Sequence, residues 1–323
     1  MVDLWAASPF FALSVDPLQT ATCCLPIIDD SHSVSLLVGY VNGRLCLYQN
    51  ESAAPTELAP VNSVVLSVTA VNQVLAVGDQ SGRLTIYHHF KLFDRHRLGA
   101  AITDLCVDHL QFGNYNFAAS YNDTIALLAG TQPSIQIKLP SAITAMVSAR
   151  LHGFGEGSEK KGRYLIVARS DATTLTLVAN GVYAGEIQTP IEVQTVCVGH
   201  FSSLNDCQVE DVAIAGDTGI IYTMTQDDFE ILYDVGYAVT KIISCKVLEE
   251  ADAIICIGHF NGWKVIHKGK IISERDDDQA WIYYMSITNK DSRTQILSTI
   301  SYNNTVRMYE MTLGRSCSDR IIH

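Results

Sequence analysis

Short apolar stretches, some alternating with polar residues and some nearly unbroken, are interrupted along this chain by small polar pairs, and the interruption recurs seven times. The copies are LLVGYVNGRLCLY (36–48), LAVGDQSGRLTIY (75–87), FAASYNDTIALL (117–128) and LIVARSDATTLTL (165–177). VAIAGDTGIIYTM (212–224), IICIGHFNGWKVI (254–266) and LSTISYNNTVRMY (297–309) complete the set. Short β-branched runs bounded by turn residues read as strands, so each copy predicts a hairpin. The tips are Asn42-Gly43, Ser81-Gly82, Asn122-Asp123, Asp171-Ala172, Thr218-Gly219, Asn261-Gly262 and Asn303-Asn304. Gly, Asn and Asp tolerate the positive φ of tight hairpins, which predicts two-residue turns. Ala172 lacks that tolerance, so the fourth copy fits a longer loop.

First residues of successive copies lie 39, 42, 48, 47, 42 and 43 positions apart, the spacing of a solenoid, propeller or array. Each interval leaves room for two further strands, as in AITDLCVDHL, NFAASY, TIALLAG and SIQIKLP (101–140) or EVQTVCVGHF, VEDVAIAG, GIIYTM and FEILYDVG (192–236). Four short antiparallel strands repeated radially form a propeller blade. The inner strands read as near-continuous apolar runs (VSLLVGY, QVLAVG, DAIICIG), whereas the fourth strands (QPSIQIKL, GKIISERDDD) are more polar and belong at the outer edge. The expectation is an all-β chain: one seven-bladed β-propeller domain over 1–323. The seventh repeat is one strand short, so 1–16, chiefly 4–15, is expected to supply its outer strand and close the ring, removing an exposed sheet edge. HGFGEGSEKKGR (152–163) reads as a flexible loop in blade 4 and 314–323 as a tail.

With 22 basic against 34 acidic residues the formal charge is −12. That argues against duplex nucleic acid, which is held by cations neutralising phosphates, and against an anionic membrane surface. No stretch approaches the roughly 18 apolar residues of a spanning helix, and MVDLWAASPFF lacks the basic start of a secretory signal. Most of the 9 cysteines fall within strands, where reduced thiols serve as small apolar residues. An intracellular protein, cytoplasmic or nuclear, without nucleic-acid binding or membrane insertion is expected.

The period and the Gly-His pairs at Gly199-His200 and Gly258-His259 resemble the WD-repeat superfamily. No Trp-Asp closes a repeat; Leu47-Tyr48, Ile86-Tyr87 or Met308-Tyr309 stands there instead. VCVGHFSSLNDCQ followed by VEDVAIAGDTGIIYTM is also similar to blades of BBSome-subunit and kaptin propellers. The resemblance implies a scaffold that docks other protein subunits or peptides within a multiprotein assembly.

Chemical constellations are sparse. Cys197-x-x-His200 and Cys256-x-x-His259 lie on predicted strands, where residues three apart point to opposite faces, so neither pair chelates a metal. Gly153 to Gly157 with Lys160-Lys161 lacks the Gly-Lys-Ser/Thr of a phosphate loop. Asp206, Glu210 and Asp211 do not match calcium-loop spacing, the run Asp276-Asp277-Asp278 reads as a solvated turn, and no Gly-x-Ser-x-Gly occurs. No cofactor, metal site or catalytic residue is expected, and a non-catalytic role leads. The alternative is a propeller hydrolase or lyase with its active site in the central channel.

Hairpin tips and interblade loops crowd one face of such a ring. Tyr40, Tyr121, His259, Phe260, Trp263 and Tyr302 lie at or beside the tips and form the candidate partner-binding set, since aromatics are enriched at interface hot spots. The competing reading packs these rings between blades. Arg44 and Arg83, each after a tip glycine, either pair with acidic neighbours or reach a partner.

Overall fold

The computed structural model describes residues 2–6, 9–15, 19–29, 31–50, 54–71, 73–108, 116–129, 132–151, 162–202, 209–225, 228–247, 250–276 and 280–315. These residues form seven antiparallel sheets and no helix. Blade 1 runs Ala21–Ile28, Val34–Tyr40, Leu45–Tyr48 and Thr56–Glu57; blade 2 runs Val65–Val71, Val74–Asp79, Arg83–His88 and Lys91–Arg97. Blade 3 is Ile102–Asp108, Asn116–Tyr121, Thr124–Ala129 and Gln132–Lys138; blade 4 is Ile143–Leu151, Gly162–Arg169, Thr174–Ala179 and Val182–Gln188. Blade 5 takes Thr195–Gly199, Asp211–Ala215, Ile220–Thr225 and Asp228–Asp234; blade 6 takes Val239–Cys245, Ala253–Gly258, Phe260–His267 and Lys270–Arg275. Blade 7 has three strands of its own, Ile282–Asn289, Thr294–Ser301 and Thr305–Arg315.

Ring closure follows the sequence expectation, with one refinement. The fourth strand of blade 7 comes in two pieces, Val2–Ala6 paired with 311–315 and Phe11–Ser14 paired with 305–308. The expected loop at 152–163 lies outside the described residues except for Gly162 and Arg163, which begin a strand; of the tail, Gly314 and Arg315 end one.

The first strand of every blade touches the first strands of both neighbours, so these seven line the central channel. The apolar runs read as inner strands are in fact the second strands, Val34–Tyr40, Val74–Asp79 and Ala253–Gly258. Both their faces meet adjacent blades and both their edges are paired, whereas a first strand ends its sheet and turns an unpaired edge toward the channel. Polar side chains on the first strands stitch blade to blade. Thr144 Oγ1 donates to the Val193 carbonyl at 2.8 Å, Ser286 Oγ to that of Cys24 at 2.8 Å, and Thr288 Oγ1 to that of Pro26 at 3.0 Å. Asp104 Oδ2 accepts the Met146 N–H at 2.9 Å.

Seven apolar clusters fill the seven gaps between blades, each built from two adjacent sheets. A single four-stranded sheet cannot bury both its faces, so the core exists only between repeats.

The tips depart from the expected two-residue form. In blades 1, 2, 5 and 7 the loop has three residues, closed by N–H to C=O bonds from Gly43 to Tyr40, Gly82 to Asp79, Gly219 to Gly216 and Asn304 to Ser301. A type I turn followed by a left-handed residue gives this geometry, and φ is +82°, +77°, +77° and +61° at those four positions. Blade 3 alone among these copies keeps the two-residue loop, with Tyr121 opposite Thr124 and Asn122 at φ +51°. Blade 4 has the longer loop expected of it, with Asp171 at φ +55°. In blade 6 the turn is at His259, and Gly262 lies within the third strand at φ +69°.

Gly82 shows why glycine occupies the left-handed site. Its carbonyl accepts the Leu98 N–H at 2.8 Å, which draws the interblade connection so close that a Cβ would lie 2.6 Å from the Ala100 carbonyl oxygen. Gly82→Ala is expected to cost at least about 2 kcal/mol, combining the left-handed penalty with displaced backbone. Urea unfolding checks this, and a change under about 0.5 kcal/mol would refute the packing described.

The fourth strands of blades 2 to 6 share a one-residue bulge against their third strands, at Phe93, Ser134, Ala184, Leu232 and Ile272. Bulged rims resist edge-to-edge pairing with other sheets.

Candidate partner-docking face

The six tip aromatics separate into two groups. Tyr40 is buried between blades 7 and 1, its hydroxyl 2.6 Å from that of Tyr48, and burial pushes its ionisation well above the usual phenol range. Tyr121 is buried between blades 2 and 3, Phe260 between 5 and 6, and Trp263 between 6 and 7. These four rings pack between blades, as the competing reading had it. His259 and Tyr302 are exposed, Tyr302 at 70%.

What surrounds those two was missed from sequence. His259 stacks on Trp281, with ring centres 4.8 Å apart and planes at 14°. Tyr302 leans on Tyr283 at 4.9 Å, and the Tyr283 hydroxyl donates to the Ala21 carbonyl of blade 1. Tyr237 lies 6.5 Å from Phe260, with Lys264 Nζ 5.5 Å above the Phe260 ring. Trp281 and Tyr237 sit on interblade connections and are 44% and 59% exposed. Neither lies beside a tip; the sequence signal that marks them is an aromatic in the connection that precedes a first strand.

Backbone bonds hold the face together. The His259 N–H donates to the Ala238 carbonyl at 2.9 Å, and that of Tyr302 donates to the Trp281 carbonyl at 2.9 Å. Each tip is thereby tied to the connection entering its own blade. The result is a cleft of about 600 Å³ lined by Tyr237, His259, Phe260, Lys264, Glu274 and Trp281. Lys264 Nζ is 2.7 Å from Glu274 Oε2, so its charge is matched inside the cleft. A second hollow of about 720 Å³ lies past Tyr302 at the seam between blades 7 and 1, bordered by Tyr283, Leu66 and Val15. Of the two arginines after tip glycines, Arg44 pairs bidentately with Glu57, at 3.0 Å for each bond.

The Cys-x-x-His pairs are split by the fold. Cys197 and Cys256 are buried, while the His259 ring faces the aromatic cleft. The His200 N–H donates to Asp252 Oδ2 at 2.8 Å, an oxygen that also accepts Lys246 Nζ at 2.7 Å, which ties blade 5 to blade 6. Glu210 and Asp211 accept backbone N–H groups of Arg150 and Ser202, each at 2.8 Å. Asp206, Asp277, Asp278 and the Gly153–Lys161 stretch lie outside the described residues.

Burial pushes the Cys23, Cys24 and Cys256 thiols up to about 12 from 9.0. Such thiols stay protonated in the folded chain while unfolded ones ionise near 9. Their contribution to stability is therefore complete below pH 9 and lost as pH climbs from there toward 12. Native protein at pH 8 is expected to leave them unreacted with a thiol reagent until urea is added. Prompt native-state labelling of Cys23, Cys24 or Cys256, read by mass spectrometry, would contradict their burial.

The architecture defines the class, a seven-bladed β-propeller closed by its N-terminal strand. Among solved structures, BBS1N in complex with ARL6DN is similar at a TM-score of 0.74 and 14% identity, over 95% of this chain and 97% of that one. The WD40 β-propeller domain of Doa1 is similar at a TM-score of 0.68 and 13% identity, over 93% and 96% of the two chains. At these identities the likeness is one of fold. The chain matches no protein-family profile, and no curated protein matches it in sequence.

Proposed function

We propose that this propeller is a non-catalytic interaction scaffold, a subunit of a multiprotein assembly that docks a partner protein on its tip face. The observation that carries the reading is a set of exposed aromatics, Tyr237 and Trp281 at a cleft that Phe260 also lines and Tyr302 at the neighbouring hollow. Rigid aromatics offer large contact area at small entropic cost, and they anchor interfaces. Tying each tip to a connection keeps the face preorganised, which lowers the cost of binding. A propeller of the same architecture, BBS1N, occurs in complex with ARL6DN, which supports a protein partner here. Buried thiols at Cys23, Cys24, Cys46, Cys197, Cys245 and Cys256 suit a reducing intracellular compartment.

The test is quantitative affinity capture on the intact chain, comparing wild type with Trp281→Ala/Tyr302→Ala. Partners retained by wild type are expected to fall at least about tenfold in the variant, with an unchanged unfolding midpoint. Equal recovery from both proteins would remove the tip face from the interaction. Turnover by the pure protein on a hydrolase panel would favour the central-channel enzyme instead.

A further inference from the structure

The outer hairpin of blade 2 combines three features that no sister blade brings together among the described residues. The first concerns its turn. Third and fourth strands are joined by two residues with positive φ in blades 2, 4 and 6, and blades 4 and 6 place Asn180-Gly181 and Lys268-Gly269 there. Blade 2 places His89-Phe90 there, at φ +49° and +60°. A bulky aromatic in the left-handed region is strained, and such strain persists where something other than stability is served.

The second concerns the bulge residue. Leu232 and Ile272, the bulge residues of blades 5 and 6, are half-buried, whereas Phe93 is 63% exposed. Leu92 and Phe90 are exposed beside it. Blade 4 also exposes apolar residues, Val182 and Tyr183, but its hairpin carries no Lys or Arg. The third is charge. In a chain of net charge −12, the hairpin and its strands carry Arg83, Lys91, Arg95 and Arg97 against the single carboxylate Asp94. The blade 6 hairpin has the same balance, with Lys264, Lys268, Lys270 and Arg275 against Glu274, but without the exposed apolar residues. The Asp94 carboxylate is occupied: it accepts the Arg95 N–H at 2.8 Å and Gln132 Nε2 at 3.2 Å, and lies 3.3 Å from His96 Nε2. Arg97 stands directly opposite Arg83 across the strands, a like-charge pairing that weakens a sheet.

We propose that this hairpin is a second docking surface, for an extended acidic segment of a partner protein. Its apolar side chains seat on Phe90, Leu92 and Phe93, and its carboxylates meet Lys91 and Arg97. Charge complementarity selects the occupant: the cations and the exposed rings share one strand, and an acidic peptide touches only that strand. An anionic bilayer would also meet the rest of a chain whose net charge is −12, the nearer part of it within a screening length of about 8 Å. The bulge and the charges disfavour simple strand addition, so recognition is by side chains.

The test uses intact protein and a fluorescein-labelled Glu-Phe-Glu-Leu-Glu-Phe-Glu peptide in an anisotropy titration, with a lysine-for-glutamate counterpart. Wild type is expected to bind the acidic peptide and not the basic one. Phe93→Ala and Lys91→Glu/Arg97→Glu are each expected to weaken it about tenfold or more. His89→Asn/Phe90→Gly restores the turn chemistry of the sister blades. It is expected to hold or raise the unfolding midpoint while losing binding, which a purely structural hairpin would not do. Trp281→Ala is expected to leave this affinity unchanged, which separates the site from the tip face. No binding by wild type, equal binding of both peptides, or variants equal to wild type would overturn the proposal. Phe93-dependent sedimentation with phosphatidylserine vesicles, without peptide binding, would replace it by a lipid surface.

Discussion

Removing residues 1–16 is expected to destabilise the ring by at least about 5 kcal/mol, comparable with the whole stability of many domains. Both pieces of the outer strand of blade 7 lie in that stretch, so the third strand of that blade would lose its partner along 305–308 and 311–315. The loss reaches the next blade too. Phe11 is buried in the cluster shared by blades 7 and 1, its ring edge-on to Tyr48 at 6.3 Å. The Val15 N–H donates to the Asn304 carbonyl at 3.1 Å, while Asn304 Nδ2 donates to the Val15 carbonyl at 3.1 Å. Phe11→Ala by itself is expected to cost about 3–5 kcal/mol. Guanidinium unfolding of the truncated chain, with and without a synthetic 1–16 peptide, reads the effect. A midpoint unchanged by truncation would mean that the ring closes without its latch, and recovery on adding the peptide would locate the loss in that strand.

Trp263→Ala carries the next largest effect, about 3–5 kcal/mol, because a fully buried indole leaves a cavity that the rigid sheets around it cannot fill. The ring meets Tyr309 of blade 7 edge-on at 5.8 Å and 78°, so the loss falls on the gap between blades 6 and 7. Its Nε1–H has no hydrogen-bond partner among the described residues. Trp263→Phe therefore gives up some area and also removes an unsatisfied donor, and is expected to cost less than about 2 kcal/mol. Tyr302→Ala, at an exposed ring, is expected to stay within about 0.5 kcal/mol of wild type. Urea titrations of the three variants give the ranking. A Trp263→Ala midpoint close to that of Tyr302→Ala would contradict the burial that separates core from docking face.

The candidate face was legible only in outline. Tyr302 just before one tip and Trp263 just after another are alike candidates from sequence, yet Tyr302 is exposed and Trp263 is fully buried. The difference is Gly262, whose left-handed backbone, hard against the Arg275 carbonyl, precedes the ring that enters the gap facing blade 7. No local feature of HFNGWKV announces that. The row of Tyr237 and Trp281 was invisible for a related reason, since these residues belong to connections and acquire neighbours only when a tip folds over beside them. Phe93 is subtler still: it occupies the same bulge position as Leu232 and Ile272, which are half-buried, and nothing local in KLFDRHR announces that it stays exposed.

The chain by itself determined the count of blades, the hairpin in each and the borrowed strand that closes the ring. Those follow from local patterning, from residues that tolerate left-handed backbone, and from one strand missing at one end and spare at the other. Only the tertiary structure decided which aromatics are core and which are surface. A ring beside a tip is buried or exposed according to the side chains of the adjacent blade, and those lie a whole repeat away in sequence.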